Sequence, residues 1–162
     1  MAEKTLNELF LETLKDMYFA ERQILRSLPR MAKGADSPEL KKALETHRDE
    51  TEMQVERLEQ VFEMVGKAPR GRTCESIKGI LEEGEEVIDE FKGSKALDAG
   101  ITAAAQAVEH YEIARYGALK TWASDLGLEN AVKLLDETLQ EEKKADQLLT
   151  RLAQGQTNRK AA

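Results

Sequence analysis

Apolar residues recur along most of this chain at steps of three and four, the period of helices that bury one stripe. In the first segment the stripe runs Leu6, Phe10, Leu14, Met17, then Glu21, then Ile24 and Leu28. Thr5-Leu6-Asn7-Glu8 forms a capping box, so a first helix opens there, continues to about Met31 and is ended by Gly34. Ser37-Pro38 supplies an N-cap and a proline at the first helical position. The second helix then runs through Leu40, Leu44, Leu58, Val61 and Val65 to Gly66. After the basic turn Lys67 to Arg72, Ile77, Ile80, Leu81, Val87, Ile88 and Phe91 share one face of a shorter helix, from Thr73 to about Lys92. Gly93-Ser94 breaks it, a long helix follows from about Lys95 to Asp125, and Gly127 leads into a last helix from about Leu128 to Ala153. Residues 1–154 read as one helical domain and 155–162 as a flexible polar tail.

The connections carry topology. The first two long helices, and the last two, are joined by only a few residues, so each pair predicts an antiparallel hairpin. The connection between the hairpins holds the shorter helix, which at 1.5 Å per residue spans roughly 25–30 Å, about the length of a bundle. A crossover that long returns the chain to the opposite end. The expected fold is therefore all-α, a ferritin-like four-helix bundle with an additional helix in the long crossover. A five-helix bundle without that crossover stays open.

Polar residues interrupt these stripes. The second helix has a seam of alternating four- and three-residue steps, Leu40, Leu44, His47, Thr51, Gln54, Leu58, Val61, Val65, whose middle is polar, with Glu50 adjoining it. The last helix reads Val132, Leu135, Leu139, Glu142, Leu149, with Asp146 beside it. The preceding helix holds Glu109-His110-Tyr111-Glu112, in which Glu109 and Glu112 lie near one face and only one need point inward. A carboxylate removed from water without a partner costs several kcal/mol, so each must be protonated, paired or bound to a cation. Lys143, Lys144, Arg22 and Arg57 are alternative partners, and His47 and Gln54 could satisfy one another. Glu56, Glu59, Glu82, Glu83, Glu85 and Glu86 fall on polar faces as solvated charge, and Tyr18, Tyr111 and Tyr116 read as core.

Composition narrows the partners. Among 162 residues, 24 Lys and Arg face 31 Asp and Glu, a net charge of −7, which gives no basic face for nucleic acid. No apolar window is long enough to span a membrane and the N-terminus lacks a signal-peptide pattern. Cys74 is the single cysteine, best read as a partly buried helix-start residue, so no internal disulfide forms and a cytoplasmic location is expected.

Two adjacent iron or manganese ions need several carboxylates to offset their charge, with nitrogen ligands completing each shell. Glu21, His47, Glu50, Glu109, Glu112, Glu142 and Asp146 are the candidate ligands. The Glu-x-x-His pairs of di-iron bundles are missing, since Leu44 stands three residues before His47 and Ala145 three after Glu142. Any centre here is dominated by carboxylates.

Tyr18-Phe19-Ala20-Glu21-Arg22-Gln23, His47-Arg48-Asp49-Glu50-Thr51 with Gln54-Val55-Glu56-Arg57-Leu58, Ala103-Ala104-Ala105-Gln106 through Glu109-His110-Tyr111-Glu112-Ile113-Ala114, and Leu134-Leu135 through Glu141-Glu142-Lys143 with Asp146 resemble the YciF/YciE family. These are ferritin-like bacterial stress proteins related in fold to rubrerythrin. The resemblance implies a ferritin-like bundle, a homodimer and a dinuclear metal site, and no defined reaction. Two functions follow as expectations. One is a non-haem dinuclear iron or manganese protein handling oxygen, peroxide or Fe(II) during stress. The other is a metal-free helical dimer acting as a structural or interaction protein.

Overall fold

The computed structural model describes residues 3–162. Helix α1 (Leu6–Gly34) opens on the expected box: Thr5 Oγ1 accepts the Glu8 N–H at 3.3 Å and the Glu8 carboxylate accepts the Thr5 N–H at 2.7 Å. The helix runs through Pro29, whose ring removes one backbone bond on an exposed face. In α2 (Pro38–Met64), Ser37 Oγ caps the Leu40 N–H at 3.3 Å. Then come α3 (Glu75–Glu90), α4 (Leu97–Asp125) and α5 (Glu129–Leu152). Between α4 and α5 the chain reverses at Gly127, whose φ of 73° is the left-handed conformation that only glycine takes without strain. The expected polar tail continues α5 through a wider turn, Ala153–Thr157, into the short helix α6 (Asn158–Ala161). Thr157 is buried there, and both segments pack on α4.

Around the bundle the order is α1, α2, α5, α4, each beside its neighbour. Tyr116 of α4 meets Glu21 of α1 while Ile101 meets Gly34, so α1 and α4 are antiparallel. Arg57 meets Glu137 and Glu141 across the α2–α5 seam, and Lys120 meets Asp136 across α4–α5, both antiparallel as well. With the α1–α2 hairpin, this makes the diagonal helices α2 and α4 parallel. The crossover is the reason. From the end of α2, Arg72 reaches Asp16 of α1, and α3 then runs along the α1–α4 seam, where Arg30 pairs with Glu85 and Asp89. The chain arrives at the far end, where the Asp98 carboxylate accepts the Asp36 and Ser37 N–H groups at 2.7 and 2.8 Å. The architecture is the all-α ferritin-like bundle with an extra crossover helix.

Apolar side chains fill both ends of the interior. Phe10, Leu14, Met17, Leu58, Val61, Phe62 and Leu119 are buried at one end, and Leu28, Met31, Leu40, Leu44, Leu97 and Ile101 at the other. Between these layers the polar positions of four helices converge.

Candidate metal centre

Each long helix contributes to that middle layer at the position where its apolar stripe was interrupted. Glu21 of α1, His47 of α2, Glu109 and Glu112 of α4, and Glu142 of α5 are all buried, none more than 5% exposed. Both α4 candidates point inward, because α4 packs against α5 and α1 and is covered by α3, so a wider arc of it is interior. One donor atom each from His47, Glu109, Glu112 and Glu142 lies within 4.8 Å of every other. His47 Nε2 stands 3.0 Å from Glu109 Oε1 and 3.9 Å from both Glu112 Oε2 and Glu142 Oε2. Glu21 sits at the adjacent corner, where its Oε1 accepts the buried Tyr116 hydroxyl at 2.5 Å.

These groups outnumber their partners. Among the described residues, both oxygens of Glu112 and of Glu142, one oxygen each of Glu21 and Glu109, and both His47 ring nitrogens find no well-directed hydrogen bond, so the 3.0 Å approach to Glu109 is a charge contact. Each such group costs roughly 1–3 kcal/mol when buried unsatisfied. Among the described residues no Lys or Arg pairs with the four glutamates. Arg57 goes instead to Glu141, with both bonds at 2.7 Å, and Gln54 donates to Glu141 at 3.0 Å. Arg22 lies over the Tyr18 ring, and Lys143 and Lys144 are exposed.

Without a cation, protons must carry the balance. Burial pushes Glu21 up to about 7, against the opposing pull of the nearby Glu112 carboxyl group and of the bond from Tyr116. Burial, reinforced by the neighbouring carboxylates, holds Glu112 and Glu142 well above the ordinary carboxylate range. For His47, burial disfavours the charged ring, but Glu109, Glu50 and Glu142 outweigh it and raise the imidazole well above its usual value. Burial opposes ionisation of Glu109 too, and the His47 charge overcomes it, so Glu109 lies below the carboxylate range. The electrostatics thus favour charge on the His47–Glu109 pair and protons on its carboxyl neighbours.

A divalent cation fits the donor set. Ligands on opposite sides of a first-row ion, at about 2.0–2.2 Å each, stand about 4.2 Å apart, close to the spread found here. Four carboxylates and a neutral imidazole would balance the charge of two such ions, and the orphaned oxygens are donors that could hold a cation. Metal binding would displace the protons that the layer holds.

The two remaining candidates lie apart from the core set. Glu50 stands 3.6 Å from His47 Nδ1, but its side chain is 37% exposed. Asp146 turns away toward α4, accepting from Gln106 at 3.1 Å and facing the exposed His110 at 3.0 Å. Tyr116, which reads as core from the sequence, is a polar partner of the layer. Its signal was the four-residue step from Glu112, which puts both on one face.

Fold and interior define the class: a ferritin-like helical bundle whose centre is a buried carboxylate–histidine layer. Residues 5–162 match a family described as "Domain of unknown function (DUF892)". Over 159 residues the chain is 43% identical to Protein YciF of Escherichia coli (strain K12), covering 98% of this chain and 96% of that protein. The crystal structure of the E. coli stress protein YciF superposes with a TM-score of 0.91 at 42% identity, over 96% of this chain and 99% of that one. YcfI of Rhodopseudomonas palustris, to which a structural role is ascribed, superposes with a TM-score of 0.88 at 45% identity, over 91% and 94%. The chain belongs to the YciF family.

Proposed function

We propose that the buried layer holds a dinuclear iron or manganese centre, and that the protein serves in a stress response, as its E. coli relative does by name. The observation that carries this reading is the set of four buried glutamates around one histidine, with most of their oxygens unpartnered and no basic side chain of the described residues paired with them. Glu109, Glu112 and Glu142 with His47 would hold one ion. Glu21, held by Tyr116, would bring the further carboxylate for a second.

A pair of iron or manganese ions supplies one-electron chemistry toward oxygen, peroxide or Fe(II). The chain's own part is different. The apolar layers above and below exclude bulk water, the Tyr116 hydroxyl orients Glu21, and the glutamates exchange protons for metal. Under this reading the protein acts in the cytoplasm as a homodimer, an assembly too small to enclose a mineral store. Asp146, tied to Gln106 and His110, would be outside the ligand set, and Glu50 would stand at its edge.

The metal-free structural reading has one observation in its favour. His47 Nε2 stands 3.0 Å from Glu109 Oε1, a pair that can balance its own charge without a cation. The two readings separate on elemental analysis after anaerobic loading with Fe(II) or Mn(II) and desalting. The metal reading expects about two ions per chain and their loss in Glu142→Ala. Retention of no metal by either protein would leave the structural reading standing.

A further inference from the structure

The four seams of the bundle are closed unequally. The hairpin seams, α1–α2 and α4–α5, are the most extensively packed. The α1–α4 seam is roofed by α3, and the void beneath Leu81 that touches His47 and Glu109 is small, about 10 Å³. The α2–α5 seam is different along its length. At the level of Gln54 and Arg57 it is clamped by three hydrogen bonds to Glu141. One and two turns further on it opens into a cleft of about 280 Å³, lined by Leu44, His47, Glu50, Glu109, Ala145 and Leu149. That cleft reaches from solvent to two members of the buried layer, His47 and Glu109. At its mouth the half-buried Glu50 carboxylate stands 3.6 Å from His47 Nδ1. On its rim are Lys144 and Arg151, exposed and without an ion-pair partner among the described residues.

We infer that the α2–α5 cleft is the passage by which a divalent cation reaches the buried layer, with Glu50 as a transit ligand that hands the ion to His47. The inference rests on the metal reading above. A hydrated cation cannot cross the apolar ends of the bundle, since burying an unpaired charge is prohibitive. The cleft instead offers a carboxylate beside an imidazole at the surface. Glu50 has the position for it: close enough to His47 to share an ion, exposed enough to collect one. The Lys144 and Arg151 charges oppose a cation's approach, so they set the rate of uptake without touching the final site.

Mn(II) uptake by the chelator-treated, full-length protein tests this, with the free-ion magnetic resonance signal followed in time and to equilibrium. Ala145→Phe, which narrows the cleft, and Glu50→Gln should both reach the wild-type stoichiometry, at least about tenfold more slowly. Lys144→Glu should fill faster than wild type, and Glu52→Gln, on the exposed face of the same helix, should match it. Wild-type rates in both Ala145→Phe and Glu50→Gln at intact stoichiometry would overturn the passage while leaving the centre in place. A lower stoichiometry in Glu50→Gln would make Glu50 a resident ligand and overturn its transit role. No uptake by the wild-type protein would remove the centre and its passage together.

Discussion

Substitution of Tyr116 by Phe tests whether the polar layer is a bonded structure or a collection of buried accidents. The Tyr116 side chain is fully buried and its hydroxyl is the donor to Glu21 Oε1, at 2.5 Å. The other oxygen of Glu21 has no hydrogen-bond partner among the described residues, so the phenol is a principal support of that carboxyl group. Removing one oxygen from the ring leaves little empty space, so the cost is almost wholly the lost bond. A hydrogen bond to a charged or titrating group is worth about 1.5–3 kcal/mol. At about 2–4 °C per kcal/mol for a chain of this size, Tm should fall by roughly 3–12 °C. The assay is thermal unfolding by circular dichroism on chelator-treated protein at pH 7, repeated in a Glu21→Leu background. There the hydroxyl is the orphan, and Tyr116→Phe should become neutral or stabilising, since removing both partners of a buried bond leaves nothing unsatisfied. An equal loss of Tm in both backgrounds would refute the reasoning and make Tyr116 a packing residue.

Three further outcomes are expected. The metal-free protein should lose stability as pH rises from 5 to 8. Glu21 holds its proton to about pH 7 in the fold but only to 4.5 unfolded, so the benefit of that proton is complete below 4.5 and lost as pH passes 7. Glu112, Glu142 and His47, also raised, act in the same sense, while Glu109 acts oppositely and loses its contribution as pH falls. Melting curves across that range check the sign, and metal loading should abolish the decline. Arg57→Ala breaks the two 2.7 Å bonds to Glu141 at a side chain only 11% exposed, and urea unfolding should show a loss of about 1–3 kcal/mol. Asp98→Asn leaves one acceptor facing the Asp36 and Ser37 N–H groups, so the α1–α2 turn should weaken by about 1–2 kcal/mol, read as faster amide exchange at those two residues.

The bundle was legible in the sequence because its stripes and caps agree: Thr5 and Glu8, Ser37 and Pro38, and Gly127 all stand where the helices begin or reverse. The polar seam was legible for the same reason, since His47, Thr51 and Gln54 occupy positions that otherwise hold core residues, and all three are buried. Face arithmetic reaches its angular limit at two positions. Four residues advance a helix by a full turn and about 40° more, so Asp146 rotates away from Glu142 toward Gln106, while Leu149 returns to the interior. Three residues fall short by about 60°, which carries Glu50 from His47 to the mouth of the cleft. The choice between Glu109 and Glu112 could not be made from one stripe, because α4 is interior on more than one side. The packing of the last residues on α4 has no periodic signal in so short a polar segment.

Crystals of the protein soaked anaerobically in Fe(II) or Mn(II), with anomalous diffraction recorded across the metal edge, test the central claim most directly. The account predicts two peaks about 3.5–4 Å apart, enclosed by Glu21, His47, Glu109, Glu112 and Glu142. An interior without a peak, or metal found only at the exposed acidic faces, would contradict it.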